Sequence, residues 1–259
     1  MLDLAAVLIA LAATLLLGFA GWLASVARRD VSLVDSLWSL FFLASALVYA
    51  ALAGAGDARA LLVLALVTLW ALRLAAYLTW RNWGEPEDRR YQAIRARNEP
   101  GFTWKSLYLV FGLQVVLAWI CAMPVYAALG SAAPLGALDY AGAALWLAGF
   151  TFETVADGQL ARFRADPANR GRVLDSGLWR YTRHPNYFGE ALLWWGLYLI
   201  AVAAGGAWTV FAPLLLTWLL LRVSGVTLLE QDIHERRPAY RDYVARTSAF
   251  VPCPPRERA

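Results

Sequence analysis

In RYTRHPNYFGEALLWWG, residues Arg180–Gly196, a short polar segment passes directly into an apolar run. The polar part carries two arginines, a histidine, an asparagine and, one turn on, a glutamate. Gly177 and Pro185 are turn residues, so residues 165–185 are expected to form a loop with one helical turn. A helix is expected to follow, with Asn186 as its cap, and its positive N-terminal end would suit an anion.

The composition indicates an integral membrane protein. The chain has 259 residues, of which 60% are hydrophobic and 16% are charged, which is far from the average of soluble domains. Cys121 and Cys253 are too few and too badly placed for a disulfide framework or a thiolate metal site. The net charge of +4 does not indicate nucleic acid, because the basic residues lie between apolar runs rather than on one soluble face.

The apolar runs predict an all-α integral membrane fold, a bundle of seven transmembrane helices. A helix needs about 20 apolar residues to cross a bilayer, and helices leave no backbone group unpaired in lipid. An amphipathic tail helix, LLEQDIHERRPAYRDYVART, is expected to follow. The predicted spans lie near Leu4–Ala27, Val31–Ala53, Ala60–Trp80, Trp104–Leu129, Leu138–Leu160, Tyr187–Ala204 and Trp208–Leu228.

The basic residues predict the orientation. They collect in the connections after the first, third, fifth and seventh spans, whereas the opposite connections hold almost nothing basic except Arg59. The positive-inside rule then places the N-terminus outside and the C-terminus in the cytoplasm. The expected location is the bacterial inner membrane, with every long polar loop on its cytoplasmic side.

Several polar residues continue into the spans at helical spacing. A charge at mid-membrane costs roughly 2.5 to 3.5 kcal/mol on insertion scales, so each must be paired, neutralised or hydrated. The residues are Asp35 and Trp38; Trp70, Arg73, Tyr77 and Arg81; Glu153, Asp157 and Arg164; and Asn186, Tyr187 and Glu190. Because the stripes lie in the predicted cytoplasmic halves, one cytoplasm-facing polar pocket would explain them together, and the nearby arginines favour a ligand that carries phosphate.

Simpler interpretations stay open for each residue. Asp35 could cap its helix, and Arg73 and Arg81 could reach along the helix to the interface. Glu153 and Asp157 could pair with arginines of neighbouring helices, and Arg183 and His184 could lie among lipid headgroups. The chain shows no nucleotide-binding glycine motif and no zinc-protease motif, and two histidines do not make a metal centre.

The opening stretch, together with its flanks, resembles the membrane steroid 5-alpha-reductase family in its bacterial branch. The flanks are FETVADGQLARFRADPANRGRVLDSGLWRY before it and EQDIHERRPAYRDYVARTSAFVP after it, with weaker support in SLVDSLWS and ALRLAAYLTWRNWGEP. A shorter version, R-H-P-x-Y with a later Glu, also marks isoprenylcysteine carboxyl methyltransferases and sterol reductases.

The resemblance implies NADPH-dependent reduction of the carbon–carbon double bond of a 3-oxo-4-ene steroid or similar lipid enone. The chain would be one transmembrane domain and a monomer, with residues 1–136 on the substrate side and residues 137–259 binding the cofactor. The substrate would come from the bilayer. The implied cofactor-binding residues are Tyr77, Arg81, Asp157, Arg162, Arg164, Tyr181, Arg183, His184, Asn186, Tyr187, Glu190, Glu230, Tyr240 and Tyr243.

The same resemblance implies that an acid on the second helix and a tyrosine on the third polarise the substrate carbonyl. Asp35 matches the acid, Trp70 stands at the tyrosine position, and Tyr77 is the possible replacement. Desolvation would favour neutral Asp35, which could then donate a hydrogen bond. Two alternatives remain: an S-adenosylmethionine-dependent membrane methyltransferase, and a non-enzyme such as a transporter or lipid-binding subunit.

Overall fold

The structure is a computed structural model that describes residues 3–54, 56–223 and 240–256. Its regular elements are helices, and within those ranges the one β-type pairing is an isolated bridge between Thr182 and Ser248. The helices are α1 (Leu4–Arg28), α2 (Leu33–Ala53), α3 (Ala58–Asn82), α4 (Arg89–Asn98), α5 (Phe102–Ser106), α6 (Leu113–Cys121), α7 (Met123–Leu129), α8 (Ala137–Ala165), α9 (Pro185–Ala203), α10 (Phe211–Trp218) and α11 (Tyr240–Arg246).

Four helices in the described ranges are long and apolar enough to cross a membrane. They are Leu4–Arg28, Leu33–Ala53, Ala58–Asn82 and Phe102–Cys121, and Ala207–Val223 is a shorter apolar helix. The predicted all-helical membrane class is therefore confirmed. Of the predicted tail helix, the described part is α11.

The fourth apolar run is not one regular helix, contrary to the sequence expectation over Trp104–Leu129. It contains a π-helical turn at Leu107–Gly112, and α6 ends at Cys121. Pro124 lies in the first turn of α7. Proline has no N–H to continue the hydrogen-bond ladder, so it starts a helix more readily than it extends one.

The chain divides into two compact units. The first comprises Met1–Leu135 with Ala201–Thr209, and the second comprises Gly136–Ile200 with Val210–Ala259. In the first unit α2 packs against α1, α3, α6 and α7. The Ser39 hydroxyl of α2 donates to the Ala71 carbonyl of α3 at 2.8 Å, and the Trp119 indole donates to the Val7 carbonyl at 2.9 Å. Such bonds join helices whose apolar surfaces alone would have little preference for one another in lipid.

Arg59, the one basic residue predicted on the outer side, is a buried structural residue of the first unit. Its side chain is 2% exposed. The guanidinium donates to the carbonyl oxygens of Ser131, Ala133 and Pro134, at 3.4, 3.0 and 3.1 Å. The connection between α7 and α8 is not helical, so its carbonyl oxygens have no helical N–H partners. The Arg59 guanidinium supplies hydrogen-bond donors to three of them.

In the second unit α8 and α9 approach closely at paired glycines. A Cβ on Gly149 would lie 2.5 Å from the Leu193 nitrogen, and one on Gly196 would lie 2.6 Å from the Gly142 oxygen. Both neighbours are backbone atoms, which cannot move aside as a side chain can. The contact between these helices therefore requires small residues.

We expect Gly149→Ala to lower the thermal unfolding temperature of the purified protein, because overpacking at a backbone contact costs typically 1 to 3 kcal/mol. Gly158→Ala is the matched control on the same helix, since a Cβ there meets no atom within 4 Å. Alanine favours helix over glycine, so the control should be neutral or slightly stabilising. Tryptophan fluorescence in detergent measures both, and equal unfolding temperatures for the two variants would show that the close approach is not limiting.

Candidate functional site

Asp35 lies in the first turn of α2, where α4 supplies both partners of its carboxylate. The Arg90 guanidinium donates to Oδ2 at 2.7 Å, and the Tyr91 hydroxyl donates to Oδ1 at 2.5 Å. The Gln114 amide of α6 donates to the same tyrosine oxygen at 3.2 Å. Three helices of the first unit thus meet at one polar cluster, formed by Asp35, Arg90, Tyr91 and Gln114.

The segment before α4 is clamped to the connection between α1 and α2. The Glu87 carboxylate accepts from the Val31 N–H at 2.9 Å and pairs with Arg95 at 2.7 Å. The Asp88 N–H donates to the Ser32 hydroxyl at 2.7 Å, while its side chain accepts from the Arg90 N–H and so caps α4. These bonds place Arg90 and Tyr91 against Asp35.

Burial and neighbouring charges shift the pKa values of Tyr91 and Glu87, which both lie outside the membrane-spanning helices. Burial raises the pKa of Tyr91 well above its ordinary value of 10.0, and the negative charge of Asp35 raises it further. The phenol is therefore protonated at neutral pH. Burial also raises the pKa of Glu87, but the hydrogen bonds from Arg95 and Val31 and the charge of Arg95 outweigh it, so the net pKa is lowered from its ordinary 4.5.

Because the pKa of Glu87 is lowered on folding, its contribution to stability is complete above its unfolded value and is lost as the pH falls through its folded value. We expect Glu87→Gln to destabilise the protein by about 1 to 2 kcal/mol at pH 7. The difference from wild type should shrink as the pH is lowered through 4.5.

The matched control is Glu85→Gln, which changes an exposed carboxylate in the same segment. It should leave the unfolding temperature unchanged at both pH values. Thermal unfolding at several pH values measures the effect, and a Glu87→Gln deficit that stays constant down to pH 3 would contradict the assignment.

The structure differs from the expectation that Asp35 donates a hydrogen bond. Both of its oxygens accept, one from the Arg90 guanidinium and one from the Tyr91 hydroxyl. Among the described residues its carboxylate does not bond to Trp70 or Tyr77. Sequence reasoning missed Arg90, Tyr91 and Gln114. The available signal for Arg90 and Tyr91 is the acid-rich stretch EPED, residues 85–88, which directly precedes α4.

The predicted stripe on α3 is partly assembled. The Arg73 and Arg81 guanidiniums lie 5.8 and 6.0 Å from the centroid of the Tyr77 ring, within the range of cation–π interactions. Trp70 is fully buried and packs edge-on against Phe42, with ring centroids 5.4 Å apart.

In the second unit, the predicted residues of α8 and α9 meet. The Asn186 amide donates to the Asp157 carboxylate at 3.2 Å, and Asp157 is 4% exposed. Glu153 and Glu190 are also buried. Asn186 is not a helix cap, contrary to the expectation, because α9 begins at Pro185 and Asn186 lies inside the first turn. Proline at the first helical position is a common start, since no N–H is needed there.

Arg183 and His184 are buried, which disfavours their interpretation as residues among lipid headgroups. The Arg183 guanidinium donates to the Thr247 and Val244 carbonyls at 2.6 and 3.3 Å. His184 stacks on Tyr187 with ring centroids 5.7 Å apart and planes 3° from parallel. Arg183 thereby joins the entrance of α9 to the end of α11.

The tail tyrosines belong to the same packing. The Tyr243 hydroxyl donates to the Trp179 carbonyl and contacts the Thr182 carbonyl, and its ring lies 5.4 Å from that of Tyr240. The remaining predicted cofactor residues of this unit are not in that cluster. Arg162, Arg164 and Tyr181 are exposed, and Glu230 lies outside the described residues.

The second unit carries charged and aromatic groups that could contact a cofactor. Exposed arginines near the end of α8 offer charge for phosphate, and His184 and Tyr187 offer a flat aromatic surface. In the described ranges no group of three or more His, Cys, Asp or Glu could hold a metal ion.

Comparison with known proteins places the chain in a family. Residues 21–247 match the model of the family described as "Protein of unknown function (DUF1295)". The chain belongs to this family. It is 30% identical over 273 residues to an uncharacterized protein of Schizosaccharomyces pombe, with 92% of this chain and 77% of that protein aligned. No solved structure matches the chain.

Proposed function

We propose that this protein is an NADPH-dependent membrane reductase. It would reduce the carbon–carbon double bond of a 3-oxo-4-ene steroid or a similar lipid enone, as the resemblance to the steroid 5-alpha-reductases implies. The observation that carries the proposal is the hydrogen bond between the protonated Tyr91 phenol and the Asp35 carboxylate at the end of an apolar helix.

Reduction of an enone builds negative charge on its carbonyl oxygen, so a preorganised donor in a water-poor site lowers the barrier. The resemblance implies that a tyrosine acts together with the acid of the second helix to polarise the substrate carbonyl. Tyr91 supplies this hydroxyl, although it lies on α4 rather than on the third helix. Trp70 and Tyr77 remain predicted contributors to the site.

The role of Asp35 in this proposal is to orient the phenol. Tyr91 turns its hydrogen from Asp35 to the carbonyl oxygen when the enone binds, while Arg90 stays paired with Asp35 at 2.7 Å and balances the carboxylate. Gln114 fixes the tyrosine oxygen from the other side. The phenol therefore exchanges one acceptor for another, and the rest of the cluster keeps its bonds.

The cofactor would be held by the second unit, where half-buried Asn186 is hydrogen-bonded to buried Asp157. NADPH, when bound, supplies the hydride. The exposed Arg162 and Arg164 would bind phosphate, and the stacked pair of His184 and Tyr187 would exclude water from one side.

The membrane arrangement follows from the same proposal. Seven spans with the N-terminus outside would place α4, the loop before α9 and the tail in the cytoplasm, as the basic connections favour. The cofactor would enter from there, in the bacterial inner membrane, and an apolar substrate would reach the monomer laterally from the bilayer.

The test is NADPH oxidation by the detergent-purified protein with progesterone as the enone, followed at the reduced-nicotinamide band. We expect enone-dependent oxidation, and Tyr91→Phe should lower kcat by about 100-fold or more, the typical cost of removing one such donor. Tyr108→Phe is the matched control, because Tyr108 is 61% exposed.

The control should keep full kcat and both variants should unfold at similar temperatures. Unchanged kcat in Tyr91→Phe would overturn the role of the phenol.

Asn186→Ala separates cofactor binding from chemistry. Loss of the amide that bonds Asp157 should raise the KM for NADPH about tenfold, which corresponds to about 1.4 kcal/mol, with a smaller change in kcat.

The competing methyltransferase shares the R-H-P-x-Y motif. Calorimetric binding of S-adenosylmethionine, with no binding of NADPH, would replace the reductase by that function.

A further inference from the structure

A second basic site lies in the second unit, apart from the residues assigned above. It is a cleft of about 500 Å³ between the turn before α9, the end of α11 and the C-terminal tail. Its charged lining residues are Asp175, Arg180, Arg246 and Arg256, and hydroxyls come from Ser176 and Thr247.

The charge of the cleft is positive and incompletely balanced. Three guanidiniums and one carboxylate leave a formal charge of +2. Asp175 pairs with Arg246 at 3.6 Å, a long contact. In the part of the chain that the structure describes, no carboxylate forms an ion pair with Arg180 or Arg256. Arg180 and Arg256 therefore give the cleft a net positive charge that an anionic ligand could neutralise.

The backbone fixes where the three arginines lie. The isolated bridge between Thr182 and Ser248 aligns the tail with the segment that follows Arg180. The Arg256 N–H donates to the Arg246 carbonyl at 2.9 Å, and the Cys253 N–H donates to the Tyr181 carbonyl at 3.0 Å. The cluster is thus built by three separated parts of the sequence rather than by one flexible basic run.

We propose that this cleft binds a phosphate monoester through Arg180, Arg246 and Arg256. A phosphate monoester carries a charge of about −1.5 to −2 at pH 7, which matches the charge of the cleft, and its oxygens accept the paired N–H groups of guanidiniums. The predicted cytoplasmic position of these loops gives two sources for that group. One is a nucleotide 2′-phosphate, and the other is the headgroup of an anionic lipid such as phosphatidate.

The nucleotide source rests on the proposed reductase function, whereas the lipid source does not. The experiment measures the dissociation constants of inorganic phosphate and of 2′,5′-ADP by calorimetry in detergent. It also measures the unfolding temperature in nanodiscs of phosphatidylcholine with and without phosphatidate. Wild type should bind at least one phosphate monoester.

Arg246→Gln and Arg180→Gln should each weaken that binding about tenfold or more, because each removes a charge-assisted contact. Arg256→Gln should weaken binding as well, and because Arg256 is exposed in the tail, this variant is expected to fold normally. Arg170→Gln is the matched control, since Arg170 is exposed in the same loop and does not line the cleft. The control should bind as wild type does.

The outcomes separate the two proposals. Binding of 2′,5′-ADP that all three cleft variants weaken supports a nucleotide source, and stabilisation by phosphatidate that they abolish supports a lipid source. If NADPH is not oxidised but phosphatidate raises the unfolding temperature through these arginines, the phosphate site is supported and the reductase function is rejected. If no phosphate monoester binds, or if the cleft variants and Arg170→Gln bind equally, the site is overturned even where NADPH is oxidised.

Discussion

A carboxylate at the end of an apolar helix must be paired, and the pairing of Asp35 with Arg90 joins α4 to the start of α2. The two side chains are 21% and 14% exposed, so removing one partner costs less than the roughly 3 to 5 kcal/mol that is typical of a fully buried pair. The start of α4 is therefore held to the start of α2, and the adjacent Glu87 and Asp88 bind the connection between α1 and α2 beside it. Tyr91 is buried as a consequence, with its hydroxyl on the acid.

The second unit depends on a close contact between α8 and α9. Its two long helices, α8 and α9, approach at backbone distance through glycines, and near that contact the half-buried Asn186 bonds the buried Asp157. The turn before α9 and the tail are then joined by Arg183, whose guanidinium donates to the Val244 and Thr247 carbonyls. Arg183 therefore ties the turn before α9 to the tail.

The sequence predicted the helices well, because apolar run length and turn residues are local signals. The bounds of α1 to α3 lie within two residues of the expected spans. It marked Asp157 and Asn186 as residues of one polar pocket, but the hydrogen bond between them was not predicted. It could not predict that Tyr91 reaches Asp35, since 56 residues separate them and the contact depends on the clamp by Glu87 and Asp88. The irregular fourth run was also missed, because a π-helical turn has no clear local pattern.

The proposed hydride transfer is tested most directly by isotope labelling. NADPH with deuterium at both positions of the nicotinamide C4 is incubated with the purified protein and progesterone in ordinary water, and the product is analysed by mass spectrometry and NMR. The reductase predicts a product with one deuterium, located at the β carbon of the former enone. A product without deuterium at that carbon, or an enone that remains unreduced while NADPH is bound, would contradict it.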